Sequence, residues 1–331
     1  MKIQLLMACV IASGLLGFSP AVAQDRVRMG LSSVSGLHSA AWVAEEKGFY
    51  KKYGLDVEII VTGQGGTVGI AALLSNDVQM ISSSGDLLAA AALRGGEAVM
   101  LGGVVNKGLQ RIITIPEIKT PADLKGRRVG VTRIGAVSHV VLQMMMQRWK
   151  MNPNDVQVLQ VGTSPDMLIS LDKKGIDAAV LTIPSMFVAE DRGYKVLLDM
   201  ADTDIFYLHT MIGSTRGYVK TNRDKVVRFM KGFLEGIAFV KQNRKESLDI
   251  VKKKLRIGPA QERNLERSVD LLANRYYEQI PYPSLRGVET VLGFIEKDHP
   301  KAKGADPKSF VDESILREIE QSGFVKTLYQ K

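Results

Sequence analysis

Five short stretches hold the residues best suited to gripping a small solute. They are Ser35-Gly36-Leu37-His38, Gln64-Gly65-Gly66-Thr67, Ser83-Ser84-Gly85-Asp86, Gly135-Ala136-Val137-Ser138-His139 and Thr182-Ile183-Pro184-Ser185. Each is rich in hydroxyls and small residues, and each runs into a segment that reads as a helix. The first turn of a helix leaves backbone N–H groups without partners, and the helix dipole favours negative charge there. Small residues let a ligand come close to those groups. The five loops together could therefore hold a carboxylate, sulfonate or phosphonate without a basic counter-charge. Taken singly, each loop also reads as an ordinary helix cap, because Ser, Thr, Asp and Gly are the usual capping residues. Their recurrence is what points to a site.

The expected contacts are Ser35, Gly36, His38, Gln64, Gly65, Thr67, Ser83, Ser84, Gly85, Gly135, Ala136, Ser138, His139, Thr182 and Ser185, with His209 beside Tyr207 as a further candidate. His38 and His139 each begin a helix, so a surface or capping role stands beside a ligand contact for both. Trp42 and Trp149 lie inside helical segments and read as core. Met144, Met145 and Met146 cover too many faces of one helix to form a single stripe, which places at least one in the core and leaves another for the cleft.

Catalytic and cofactor signatures are missing. Gly63-x-Gly65-Gly66 is no dinucleotide fingerprint, because Val68 stands where a third glycine belongs. There is no phosphate-binding Gly-x-x-x-x-Gly-Lys run and no Gly-x-Ser-x-Gly elbow. The four histidines are far apart in sequence, which argues against a metal site. No cofactor and no catalytic residue are expected.

The elements that must position these loops alternate between strand and helix. Strands are expected at 27–33, 56–61, 78–81, 98–105, 111–115, 129–132, 156–161, 178–181, 195–199 and 207–214. Helices are expected at 39–47, 67–75, 87–93, 140–149, 165–173, 185–192, 222–243, 245–255, 260–278, 284–298 and 313–329. Such alternation builds largely parallel sheets, whose ligands gather at the carboxyl ends of the strands. Strands 111–115 and 207–214 are expected to cross from one sheet to another.

The 331 residues suffice for two domains with separate cores. At 45% hydrophobic and 24% charged the chain is an ordinary globular one, without disorder. Residues 1–23 read as a secretory signal: Lys2 opens it, an apolar run follows, and Ala21-Val22-Ala23 fits the cleavage pattern before Gln24. Leu6-Met7-Ala8-Cys9 resembles a lipoprotein box only faintly, since the apolar run continues well past Cys9. Cys9 is the sole cysteine, so a cleaved chain carries no disulfide and no thiolate, which suits a bacterial periplasm. The formal charge of +9 is dispersed, with clusters at 241–245 and 252–256 on polar helix faces, so a solvated surface is expected rather than a nucleic-acid interface.

One stretch organises the middle of the chain. Thr120-Pro121-Ala122-Asp123-Leu124-Lys125-Gly126-Arg127-Arg128-Val129-Gly130-Val131 reads as a capped turn leading into a buried strand. It closely resembles the start of the second lobe in periplasmic substrate-binding proteins of ABC importers, in the sulfonate/nitrate/taurine and thiamine-precursor branch. Three other stretches resemble that family in order. They are Glu45-Glu46-Lys47-Gly48-Phe49-Tyr50 through Gly54-Leu55-Asp56-Val57, Gly65-Gly66-Thr67 with Ala71-Ala72-Leu73-Leu74-Ser75-Asn76-Asp77-Val78-Gln79, and Lys174-Gly175-Ile176-Asp177-Ala178-Ala179.

The resemblance implies an α/β, two-lobed periplasmic-binding-protein-like fold of type II, each lobe a mixed, mainly parallel sheet flanked by helices. It implies a discontinuous first lobe, 24–112 with 208–331, a second lobe at 113–207, and a ligand cleft between them. It also implies a receptor that closes on a small solute and docks on an inner-membrane ABC permease; a monomer is the default expectation. Enzymes of menaquinone and thiamine-precursor pathways resemble the same architecture, and the family also takes pyrimidine-like solutes. Those enzymes are normally not exported, and the thiamine-precursor synthase carries a cysteine-rich motif that this chain lacks. A sensor lobe of a signalling protein is a third reading, disfavoured because no membrane-spanning segment follows.

Overall fold

The computed structural model describes residues 24–62 and 66–330. The expected signal at 1–23 and the candidate contacts Gln64 and Gly65 lie outside the described residues. The chain runs β1 (Asp25–Leu31), α1 (Ser39–Glu46), α2 (Phe49–Lys52), β2 (Leu55–Val61), α3 (Thr67–Leu74), β3 (Met80–Ser83), α4 (Gly85–Leu93) and β4 (Ala98–Lys107). It continues through β5 (Arg111–Thr114), β6 (Arg128–Val131), α5 (Val137–Arg148), β7 (Gln157–Gln160), α6 (Ser164–Asp172), β8 (Ala178–Leu181), α7 (Ser185–Asp191) and β9 (Lys195–Asp199). It ends with β10 (Phe206–Thr215), α8 (Arg216–Thr221), α9 (Arg223–Gln242), α10 (Arg244–Leu255), α11 (Pro259–Leu271), α12 (Leu285–Ile295), α13 (Ser314–Gln321) and α14 (Phe324–Tyr329).

These strands form two sheets of five, ordered β2-β1-β3-β10-β4 and β7-β6-β8-β5-β9. In the first, β1 runs parallel to β2 and β3, and β10 is antiparallel to β3 and β4. In the second, β6 runs parallel to β7 and β8, and β5 is antiparallel to β8 and β9. The chain passes between sheets twice, through residues 108–110 and 200–205. Of the two strands expected to follow a crossing, β5 lies in the second sheet and β10 in the first.

Local chemistry explains the register. Asp177 accepts from the Arg128 backbone N–H at 2.9 Å, from Nε at 3.0 Å and from Nη2 at 2.9 Å, which pins the start of β6 to β8. Thr120-Pro121 opens a short turn with Asp123 reaching back to the Thr120 N–H at 2.8 Å. The apolar alternation of β1 places Val27, Met29 and Leu31 in the core, each at most 1% exposed.

Several boundaries differ from the sequence reading. The expected helix 313–329 is two, α13 and α14, broken where Gly323 adopts φ +75°. The expected helix 260–278 passes into a π turn, Leu272–Tyr276, and stops at Tyr277. β1 ends at Leu31, which leaves Ser32 and Ser33 to the loop below.

Candidate functional site

The carboxyl ends of β1 and β3 meet at His38. This residue closes the turn Gly36–His38, and its ring is 4% exposed. Nδ1 lies 3.1 Å from Ser82 Oγ and Nε2 lies 3.4 Å from Ser33 Oγ. The His38 side chain makes no capping bond and is not on the surface, which removes both bland readings of it. The Trp42 ring stands edge-on to it at 6.0 Å. Burial, and then the nearby His209 imidazole, press its pKa down to about 3, so it is a neutral ring.

His209 enters from β10 and is 8% exposed. The Gln110 side-chain N–H donates to its Nε2 at 2.8 Å. Gln110 Oε1 accepts from the Leu109 backbone N–H at 3.2 Å, which fixes that orientation of the amide. His209 Nδ1–H then donates to Thr210 Oγ1 at 3.0 Å. Burial lowers this pKa to about 4. Two neutral imidazoles, from β10 and the β1 loop, thus lie near each other, each with its own hydroxyl or amide partners.

The start of α4 adds a third group. A Cβ on Gly66 would stand 3.2 Å from Ser83 Oγ and crowd the flexible end of Leu87, and its φ of +75° favours glycine. Gly85 abuts Leu208 of β10 in the same way. Asp86 is 8% exposed and accepts from Tyr207 Oη–H at 3.2 Å. Burial raises its pKa, and hydrogen bonds from Ser84, Tyr207 and its helix N-terminus oppose that rise. Ser83 Oγ is buried and has no partner among the described residues.

The remaining expected contacts lie on the second sheet. Ser138 Oγ takes the Thr132 N–H at 2.9 Å and pairs with Thr132 Oγ1 at 2.8 Å, which folds the Gly135 loop onto α5. His139 Nδ1 accepts from the Gly135 N–H at 3.0 Å, so its ring closes its own half-buried loop. Ala136 caps α5. Ser185 begins α7 and is 3% exposed, and Thr182 Oγ1 is a second buried hydroxyl without a partner among the described residues. Val137, Val140 and Met144 of α5 pack into the apolar cluster of α4 and β10, so the two sheets close on each other. Met145 and Met146 are core, as expected of at least one of the three.

The structure thus joins His38 to Ser82, and His209 to Gln110, and sets Gly66 against Ser83. Ser35 caps its turn by accepting from the Leu37 N–H at 3.3 Å, and Gly36 is buried beside it. Thr67 is exposed on the first turn of α3. Ser33, Ser82, Asp86, Gln110 and Thr210 were absent from the expected contacts. Asp86 ends a loop already singled out, and Gln110 follows a Gly-Leu pair between two apolar strands, which marks the first crossing. Among the described residues no lysine or arginine is buried, and no cluster of His, Asp or Glu could hold a metal ion.

A family model described as NMT1/THI5 like matches residues 36–247. A protein of Brucella abortus, by name a binding protein with no ligand specified, is 27% identical over 257 residues, covering 76% of this chain and 78% of its own. The periplasmic aliphatic sulphonate binding protein SsuA of Escherichia coli superposes with a TM-score of 0.71 at 18% identity, covering 87% of this chain and 92% of its own. The periplasmic nitrate-binding protein NrtA of Synechocystis superposes at 0.68 with 14% identity, covering 90% and 89%. At such identities the superpositions establish the two-lobed binding-protein fold.

Proposed function

The chain belongs to the NMT1/THI5-like family, and from that premise we propose that it is an exported receptor of an ABC importer, closing on a small polar or anionic solute and delivering it to an inner-membrane permease. One observation carries the reading. Of five buried side-chain oxygens without partners among the described residues, Ser83 Oγ at the end of β3 and Thr182 Oγ1 just after β8 are the two at carboxyl ends of strands, one on each sheet. A buried hydroxyl left unpaired costs about 1–3 kcal/mol, and a solute placed between the sheets would relieve both. The names of two structural neighbours mention sulphonate and nitrate, both oxyanions. Neutral imidazoles, hydroxyls and free helix N–H groups suit a sulfonate, a carboxylate or a similar group.

In this reading residues 24–112 with 208–331 form one lobe and 113–207 the other. Ser35, Gly36, His38, Gln64, Gly65, Thr67, Ser83, Ser84, Gly85 and His209 face the solute from the first lobe. Gly135, Ala136, Ser138, His139, Thr182 and Ser185 face it from the second. The solute favours the closed state because only there does it meet both sets. The receptor is monomeric, uses no cofactor and performs no chemistry, and its leader is removed after Ala23.

A thermal-shift screen with alkylsulfonates, nitrate, bicarbonate, carboxylates and pyrimidines tests the function. A true solute at one hundred times its dissociation constant adds about 2.7 kcal/mol, read as a rise of several degrees in Tm. A substrate that is turned over instead of retained would overturn the receptor reading. Ser83→Ala and Thr182→Ala test the carrying observation. Each variant is expected to raise the ligand-free stability by up to about 1 kcal/mol, because an unpaired hydroxyl is gone, and to lower the shift given by the solute. Loss of stability in both ligand-free variants would show that the hydroxyls already have partners.

A further inference from the structure

We propose that α11 and the π turn behind it form a strap across the two inter-sheet crossings, and that Arg267 is a positioning residue holding α7, the helix that follows Thr182, in the closed arrangement. The proposal rests on the two-lobed receptor reading above. The strap is anchored on first-sheet elements. Lys241 Nζ of α9 donates to the Ala273 and Tyr277 carbonyls at 2.5 and 2.8 Å. Arg244 of α10 pairs with Glu266 at 2.6 Å and with Asp270 at 2.5 Å. Tyr277 Oη–H donates to the Leu37 carbonyl at 3.4 Å, inside the turn that carries His38.

From that footing the same segment reaches the second sheet at two points. Arg267 Nη2 lies 2.5 Å from Glu190 Oε2, and Nη1 lies 3.1 Å from Asp191 Oδ1, both on α7. Its guanidinium stacks 4.1 Å from the centre of the Phe187 ring, whose own distance to the Arg111 guanidinium is 5.2 Å. Arg111 also pairs with Glu190 and, at 2.7 Å, with Asp199. Phe187 and Glu190 are thus gripped between β5 of their own sheet and a helix mounted on the other. Beyond α11, Arg275 pairs with Asp202 of the second crossing at 3.2 Å. Tyr276 Oη–H donates to the carbonyl of Gly108 in the first crossing at 3.2 Å.

The geometry bears on the cleft because α7 begins at Ser185, three residues beyond Thr182. In this proposal, opening the lobes carries α7 away from α11 and breaks the pairs to Glu190 and Asp191. A planar guanidinium that stacks and forks at once is not replaced by an ammonium. The half-exposed ion pairs alone would count for little, and the stacking on Phe187 adds to them.

The test needs no solute. In a Cys9→Ser background, spin labels at Val34→Cys and Ile134→Cys sit on exposed residues after β1 and β6, one on each sheet. Protein is washed in denaturant and refolded to strip any bound molecule, and the label distance is measured by double electron–electron resonance. The parent is expected to show a dominant short distance. Arg267→Gln is expected to raise the ratio of long to short distances by about fivefold to tenfold, and Arg267→Lys to recover part of that change. Arg275→Gln is expected to shift the ratio in the same direction by less, which keeps the test alive if Arg267→Gln does not fold. Arg223→Gln, which removes an ion pair between α9 and α13 that touches neither α11 nor the second sheet, is expected to leave the distribution alone. An unchanged distribution in the Arg267 and Arg275 variants, or an equal shift in Arg223→Gln, would overturn the strap. A positive solute screen beside that result would leave the receptor reading standing.

Discussion

Moving the protein from pH 7 to pH 5 will remove about 2 kcal/mol of folding stability through each of His38 and His209. Burial holds the folded pKa values at about 3 and about 4, against an ordinary 6.5. Between those folded values and 6.5 the unfolded chain binds the proton and the native rings do not. Stability therefore falls as pH drops through that window, and it is fully present above it. Protonating His209 in the native state would set its Nε2–H against the Gln110 amide N–H, and the amide cannot turn without facing the Leu109 N–H. Asp86 works the other way. Burial raises its carboxyl pKa, so its native form takes a proton before the unfolded chain does and gains relative stability as pH falls. His139, lowered by burial, has the same sign as the other two histidines. The clean measurement is thus a difference. Urea midpoints from pH 7 to pH 5 should fall more steeply in the parent than in His38→Gln or His209→Gln, by about 2 kcal/mol in each case. Parallel profiles would mean that the imidazoles are not held neutral by burial.

The histidines also show where sequence reading stops. The turn Ser35-Gly36-Leu37-His38 was visible as a small-residue loop before a helix, because capping signals are local. The partners of His38 and His209 were not. Ser82 reads as any serine at a strand end, and Gln110 lies 99 residues from His209. Only the order β3-β10-β4 in one sheet and the crossing after β4 bring these residues together. The strands were legible for a related reason, whereas their division between two sheets came only with the family resemblance. Apolar runs such as Val99-Met100-Leu101 are nearly free of polar residues, and a fully buried strand is one that water never reaches from either face. The break at Gly323 was missed because periodicity carries across a single left-handed residue. The strap was missed because Arg267 reads as one more charge on an amphipathic helix, and its stacking on Phe187 depends on α7 arriving from the other sheet.

Gly236→Val is expected to cost about 3 kcal/mol, through overpacking at the seam between α9 and α1. A Cβ on Gly236 would overlap the Ala40 carbonyl oxygen and stand 3.0 Å from Ala44 Cβ. The first neighbour is backbone, so no rotamer change relieves the clash and the helices must separate. One turn earlier, a Cβ on Gly232 would stand 2.7 Å from Tyr50 Cδ1 and 3.2 Å from its backbone nitrogen. The two glycines thus form a groove on α9 that admits α1 and α2. The consequence reaches the site, since α1 begins at Ser39 directly after His38. Pushing α1 outward draws His38 away from Ser82 and lets water reach its ring. The His38 pKa should then rise from about 3 towards the ordinary value, a change that NMR titration of the imidazole reads independently of stability. Gly293, in α12, has no atom within 4 Å of an added Cβ, so Gly293→Ala should instead stabilise by up to about 1 kcal/mol. A Gly236→Val variant that melts with the parent and keeps His38 untitrated would mean that α1 and α9 have room to spare, and that the position of His38 does not depend on this seam.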